Sequence, residues 1–216
     1  MSAFNKLAIA AVGIILGMSA SPAQAAILGA SDGGNVMIKA PNSTDINQTT
    51  SNLMQGFNEK QNVLLQEQLE VDFNKFIEAG TIVNSHMIFL DSAGSQDVTQ
   101  NNIKWTFDGE ILGIMSDSGG ILEGLSNTLL GAEGTTYPAF AARGLETDER
   151  SGNRKYSVDG NELTLSMRVT NPGDWVRVVT RANPQSVQEP TSMLGLFAVG
   201  VFGTASTLKY KKKQEA

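Results

Sequence analysis

The chain has 216 residues, 41% of them apolar, with one histidine and no cysteine, which suits a folded domain and excludes a disulfide framework, thiol catalysis and cysteine-built zinc sites. Of its 22 Asp and Glu residues, 20 fall between positions 26 and 188 with only 11 of the 16 Lys and Arg, so the middle of the chain is near −9 while the whole is −6. No basic stripe remains there to neutralise phosphates, which argues against a nucleic-acid partner.

Residues 1–25, MSAFNKLAIAAVGIILGMSASPAQA, have the order of a secretory signal peptide. Lys6 gives a positive start, residues 7–18 an apolar run, and Ala23-Gln24-Ala25 a small-x-small cleavage site that would make Ala26 the mature N-terminus. Residues 31–52 are rich in Gly, Asn, Ser and Thr. Residues 26–55 are therefore expected to be a polar lead-in or linker, with at most one weak strand at 36–38.

Core signals begin near Phe57. Leu69, Val71 and Phe73 alternate with Glu70, Asp72 and Asn74, as a strand with one buried face requires. Residues 82–90 form a rich β run ended by Asp91-Ser92-Ala93-Gly94. Ile103, Trp105 and Phe107 alternate again, Asp108-Gly109 marks a turn, and a strand resumes over 111–115. The only helical candidate is 121–130, with Leu122, Leu125 and Leu129 on one face. Tyr156 and Val158, then Asp159-Gly160-Asn161, then Leu163, Leu165, Met167 and Val169 predict a β-hairpin with Thr164, Ser166 and Arg168 on its solvent face. Asn171-Pro172-Gly173-Asp174 turns the chain into a last strand over 175–180. About eight short strands separated by turns predict a mainly β ectodomain over 56–182, an antiparallel sandwich of jelly-roll or Greek-key type.

A linker over 183–192 leads to residues 193–208, which are apolar or small and uncharged. As a helix they would rise about 24 Å, a little short of the roughly 30 Å hydrocarbon core. Lys209, Lys211, Lys212 and Lys213 follow within a basic tail, 209–216, and make it the cytoplasmic side of such a span. Glu189-Pro190, the following Thr-Ser, the Gly-containing apolar run and the terminal lysines together resemble the PEP-CTERM sorting signal of Gram-negative and cyanobacterial types. Gln188 stands where that family usually has its first proline, making Gln188-Glu189-Pro190 a variant motif. The resemblance implies an exosortase-type processing enzyme as partner, a membrane anchor before processing, and an exopolysaccharide layer as surroundings. The phrases FNEKQNVLL, GTIVNSHMIFLD, WTFDGEILGIM, LLGAEGTTYP and PGDWVRVVT resemble an ectodomain that recurs in exported proteins with this tail. That likeness covers roughly residues 57–180 and implies location and fold, with no particular activity.

Hidden chemistry has few places to reside. Gly29-Ala30-Ser31-Asp32-Gly33 matches G-x-S-x-G but lacks the strand and helix that a nucleophile elbow needs. His86 is the only side chain with an ordinary pKa suited to proton transfer near neutrality, and its place in the alternation favours a hydrogen-bonded interior histidine. The turns Asp91–Asp97 and Asp108-Gly109-Glu110 carry the hard oxygens that Ca²⁺ selects, without EF-hand order. Trp105, Trp175 and Tyr137 could form an aromatic platform for a sugar. No cofactor or metal is implied. The sequence thus predicts an exported, non-catalytic surface or matrix protein, with a carbohydrate- or calcium-binding module as the alternative and a secreted hydrolase as the weakest reading.

Overall fold

The computed structural model describes residues 26–138, 143–145, 156–170 and 173–183. These form a mainly β molecule. Its strands are β1 (Ile27–Ala30), β2 (Gly34–Val36), β3 (Met54–Asn58), β4 (Val63–Leu64), β5 (Leu69–Val71), β6 (Lys75–Ile77), β7 (Ile82–Leu90), β8 (Val98–Phe107), β9 (Ile111–Met115), β10 (Tyr156–Asp159), β11 (Glu162–Val169) and β12 (Asp174–Arg181). One α-helix, α1 (Ile121–Leu130), and a 3-10 turn at Asp72–Asn74 complete the regular structure described.

One sheet has the order β1-β8-β11-β10 and is antiparallel throughout. The other has the order β2-β3-β7-β12-β9, and β4 continues along β7 beyond β3. The two sheets face each other across one core, to which the first contributes Ile103, Trp105, Phe107, Leu163 and Leu165 and the second Met54, Ile88, Leu90, Val176 and Val178. Trp105 sits at the centre, fully buried. Its indole lies against Gly56 of β3, where an added Cβ would come within 2.5 Å of the ring. The glycine is what lets the ring approach the opposite backbone. Burying a ring of this size contributes on the order of 5 kcal/mol as an upper figure.

The segment expected to be a loose lead-in is instead part of both sheets. β1 pairs with β8, placing Ile27 opposite Phe107, and β2 pairs with β3. The β2–β3 pair is parallel, the one exception among the described strand pairs, and an isolated bridge between Ser43 and Thr136 is parallel as well. Tertiary pairing overrides a composition weak in large apolar residues, because each short strand needs only an existing edge to dock on. Asp108-Gly109 also does something other than close a hairpin. It carries the chain from β8 in one sheet to β9 in the other, and Gly109 packs so tightly on the Arg181 carbonyl that a Cβ would lie 2.1 Å from its oxygen.

β7 and β12 occupy the middle of their sheet and are buried on both faces. The face turned away from the core between the sheets is covered by α1 and the flanking segments, giving two further apolar clusters. Val83, Met115, Leu130 and Val179 belong to one, and Phe57, Met87, Phe89 and Trp175 to the other. The helix has the bounds expected from its sequence but the opposite orientation. Its buried residues are Glu123, Ser126 and Leu130, while Ile121 and Leu125 are 63% and 79% exposed. The reason is beneath it: β12 presents Arg177, which the polar side of the helix satisfies.

The alternation expected across residues 69–74 also stops short. Phe73 and Asn74 both adopt left-handed backbone, at φ 65° and 53°. For a bulky aromatic this conformation is a true outlier, and it folds β5 back onto β6 as a short hairpin.

Candidate functional site

Most residues singled out from the sequence are interior. Trp105 is 0% and Trp175 3% exposed, so neither can offer a ring face to a sugar, and they belong to different clusters on opposite faces of the larger sheet. Tyr137 is half-buried. Its ring lies 5.4 Å from the Arg177 guanidinium, and its hydroxyl oxygen accepts from the Ala132 amide at 2.8 Å. The aromatic platform weighed as an alternative is therefore not formed: both tryptophans pack in the core, the use expected of aromatic residues in strands, and Trp175 additionally stacks under the Arg143 guanidinium at 4.4 Å.

His86 is sealed between the sheets. Its Nδ1 pairs with Asn58 Oδ1 at 2.9 Å, its Nε2 with Thr180 Oγ1 at 3.1 Å, and its ring packs on Phe107 at 5.0 Å. Complete burial pushes its pKa down to about 3, so the imidazole is neutral at physiological pH. Ser31 follows β1 and leads into strand β2 rather than a helix; its hydroxyl accepts from the Lys104 amide at 3.0 Å. Three of the turn carboxylates have partners within the chain, while Asp108 Oδ1 has none among the described residues. Asp91 accepts from the Asn47 amide, Asp97 pairs with Arg168 and Glu110 with Arg181. Among the described residues no three acidic or histidine side chains are grouped to hold a metal ion.

Two features that the sequence did not reveal organise the rest. The first is a buried ionic centre under α1. Arg177 and Glu59 are both fully buried as side chains and meet as a fork, Nε to Oε2 at 2.7 Å and Nη2 to Oε1 at 2.8 Å. Ser85 donates to Glu59 at 2.6 Å, while Arg177 also donates to the Glu123 carbonyl, to Ser126 Oγ and to Asn127 Oδ1. Burial lowers the Arg177 pKa, but the adjoining Glu59 charge and hydrogen bonds outweigh it, so the net shift is upward and the guanidinium stays charged. Glu59 is aimed inward by the break between β3 and β4, where its amide donates to the Ser85 carbonyl.

Beside this pair Glu123 is 1% exposed, and neither carboxyl oxygen has a hydrogen-bond partner among the described residues. Burial first, and then the nearby Asp117 charge, hold its pKa well above the ordinary 4.5. The unfolded chain therefore releases this proton at lower pH than the folded one, and stability is lost as pH rises above 4.5. Glu123→Gln, which keeps the shape and removes the charge, is expected to stabilise the protein at pH 8 by on the order of 1–3 kcal/mol. Urea midpoints at pH 5 and pH 8 check this, since the gap between variant and parent must widen with pH; a constant gap would refute it.

The second feature is a slot at the open side between the two sheets. β9 and β10 are edge strands of the two sheets. They are tied together at one end by the Ile111 amide donating to the Gly160 carbonyl at 2.9 Å. At the other end the Tyr156 hydroxyl donates to Asp72 Oδ2 at 2.8 Å. Between the ties lies a cavity of about 290 Å³ lined by residues 111–114, by Tyr156, Ser157 and Val158, and by Val71, Asp72, Phe73 and Lys75. Asp72 is fixed from the other side by Ser116, whose amide and hydroxyl donate at 2.9 and 2.6 Å. Burial raises its pKa against these hydrogen bonds. The left-handed Phe73 and Asn74 sit at this point, and such backbone strain persists only where the surroundings enforce it. Beyond Asp72 a second cleft of about 280 Å³ is lined by Glu70, Asn74, Asp117, Ile121, Leu122 and Leu125 among others. Asp117 fixes the start of α1 by accepting from the Ile121 and Leu122 amides.

The remaining sequence-based assignments lie outside the described residues: the leader with Ala23 and Ala25, the motif Gln188-Glu189-Pro190, the apolar stretch 193–208, and Lys209, Lys211, Lys212 and Lys213. Ala26 is described, and its carbonyl accepts from the Asp108 amide. No helix among the described residues is long and apolar enough to cross a membrane. Comparison with known proteins finds no match to a family model, to a curated protein or to a solved structure.

Proposed function

We propose that this chain is an exported, non-catalytic cell-surface or extracellular-matrix protein, sorted through a PEP-CTERM-like C-terminal signal and processed by an exosortase-type enzyme after anchoring in a membrane. The observation that carries this reading is the order of its tail, Glu189-Pro190, then sixteen residues without a charge, then the lysine cluster, together with a leader that ends in Ala23-Gln24-Ala25. A cysteine-free domain held by core burial is in keeping with it. In this reading the two facing sheets are a sandwich of jelly-roll or Greek-key type. The hydrolase alternative asked for His86 in a cleft beside an acid and a nucleophile, and His86 is instead enclosed by Asn58, Thr180 and Phe107. A binding role remains compatible with the slot between β9 and β10, in place of the aromatic platform.

Intact mass of the mature protein from its native envelope tests the proposal. A species that starts at Ala26 and ends near Pro190 is expected. A stable membrane form that keeps Lys209–Lys213 would leave a plain anchor as the explanation, and a form that keeps residues 1–25 would remove export.

A further inference from the structure

The slot has a chemistry of its own, independent of how the tail is handled. Along one wall runs β9, paired with β12 on one side only. Among the described residues no strand pairs with its outer edge, where only the Ile111 amide is taken, by the Gly160 carbonyl, and five residues at about 3.3 Å each give an edge roughly 17 Å long. Such an edge is a template for another extended chain. The neighbouring cleft offers aliphatic side chains, with Leu125 and Ile121 largely exposed although they lie on an apolar helix face. The two cavities together carry Glu70, Asp72 and Asp117 against the single Lys75. A main-chain edge, an aliphatic pocket and an acidic border suit a peptide better than a sugar, which would use broad exposed aromatic faces.

We propose that the slot binds an extended segment of another protein by strand addition to β9, with an aliphatic residue seated against Ile121 and Leu125 and a Lys or Arg beside Asp72 and Asp117. The strap at Asp72–Asn74, tied to Ser116 and Tyr156, divides the two cavities, so the segment lies along β9 within the slot and its end passes over the strap to Ile121 and Leu125. Its left-handed turn holds Asp72 at the junction, and the Ser116 and Tyr156 hydrogen bonds keep the carboxylate aimed there. The segment is short, about four to five residues, because the tie between Ile111 and Gly160 closes the far end.

The test titrates the full chain, labelled with ¹⁵N, with the hexapeptide acetyl-Lys-Val-Lys-Val-Lys-Val-amide. Parallel titrations use its Glu-for-Lys counterpart, two versions N-methylated at alternate residues, and cellohexaose. Amide shifts are expected at residues 111–115 and 156–158 with the basic peptide. N-methylation in one of the two registers should weaken binding about tenfold, because it removes main-chain hydrogen bonds and leaves every side chain in place. Leu125→Lys, at an exposed position that folding does not need, should weaken it by a similar factor of about ten through lost apolar contact and added repulsion. Four results would overturn the proposal: equal binding of the acidic peptide, indifference to both methylation registers, shifts from cellohexaose in place of the peptide, or self-association of the chain that Leu125→Lys abolishes. The last would make the slot an interface between copies.

Discussion

Arg177→Ala is expected to destabilise the protein by about 3–5 kcal/mol, the usual cost of leaving one member of a buried ion pair without its partner. The fork to Glu59 is enclosed on every side, by Ser85 of β7, by Ser126 and Asn127 of α1, and by the Tyr137 ring. Removing the guanidinium leaves Glu59 with only the Ser85 hydroxyl among these partners, and no solvent to replace the rest. With a urea dependence of about 1–3 kcal/mol per molar, the midpoint should fall by roughly 2 M. The paired replacement Glu59→Leu with Arg177→Met is expected to recover most of that loss, since the pair's own attraction largely offsets its desolvation. A single-variant loss below about 1 kcal/mol would show that water reaches the pair and that the helix does not seal it.

Acidification provides the second large effect, through His86. The unfolded chain binds a proton at this imidazole below its ordinary 6.5, whereas the folded protein resists until about 3. Between those values the unfolded state holds more protons, so stability falls as pH falls, by up to about 1.4 kcal/mol per pH unit. His86→Gln keeps a polar side chain facing Asn58 and Thr180 and removes the titration. Urea unfolding of parent and variant at half-unit steps from pH 4 to pH 7 should give slopes that differ by close to one proton. Parallel slopes would mean that His86 is not the residue that titrates. Glu123 works in the opposite sense from pH 4.5 upward, so between 4.5 and 6.5 the two contributions offset each other and the parent is expected to be most stable in that interval.

How far the sequence anticipated this depends on which faces each element shows to water. β8, β10 and β11 were legible because one face is solvated, and the alternation of Leu163, Leu165 and Met167 with Thr164, Ser166 and Arg168 marks that face. β7 and β12 read as strands without a clear polar face, since both their faces are covered. β1 was missed, and β2 was anticipated only as a weak strand over 36–38 where it runs over Gly34–Val36: three or four residues carry little periodicity, and their stability comes from edges that other strands provide. For α1 the bounds were readable and the orientation was not. The leucines define an apolar stripe, but the sheet below holds an arginine, and desolvating Arg177 without partners would cost more than exposing Leu125. One signal was available, an arginine centred in the apolar strand DWVRVVT, where a charge must find a partner. Its partner Glu59 lies 118 residues away, a separation that local pattern cannot bridge. The slot had even less to announce it, because residues 69–74 alternate as an uninterrupted strand would.

β12 lies between β7 and β9, and so the last described strand fills the middle of its sheet. Until it is synthesised β7 and β9 have no common neighbour, and the outer clusters lack Trp175 and Val179. Pairings such as Val176 with Ile88 join residues far apart in sequence, which is the topology of a slow folder. The larger sheet therefore stays incomplete until β12 has been made, which is in keeping with the export proposed above. The same arrangement sets a limit on trimming. A cut near Pro190 would fall beyond Arg181 and leave β12 whole, while one ten residues earlier would remove the end of the strand that completes the sheet.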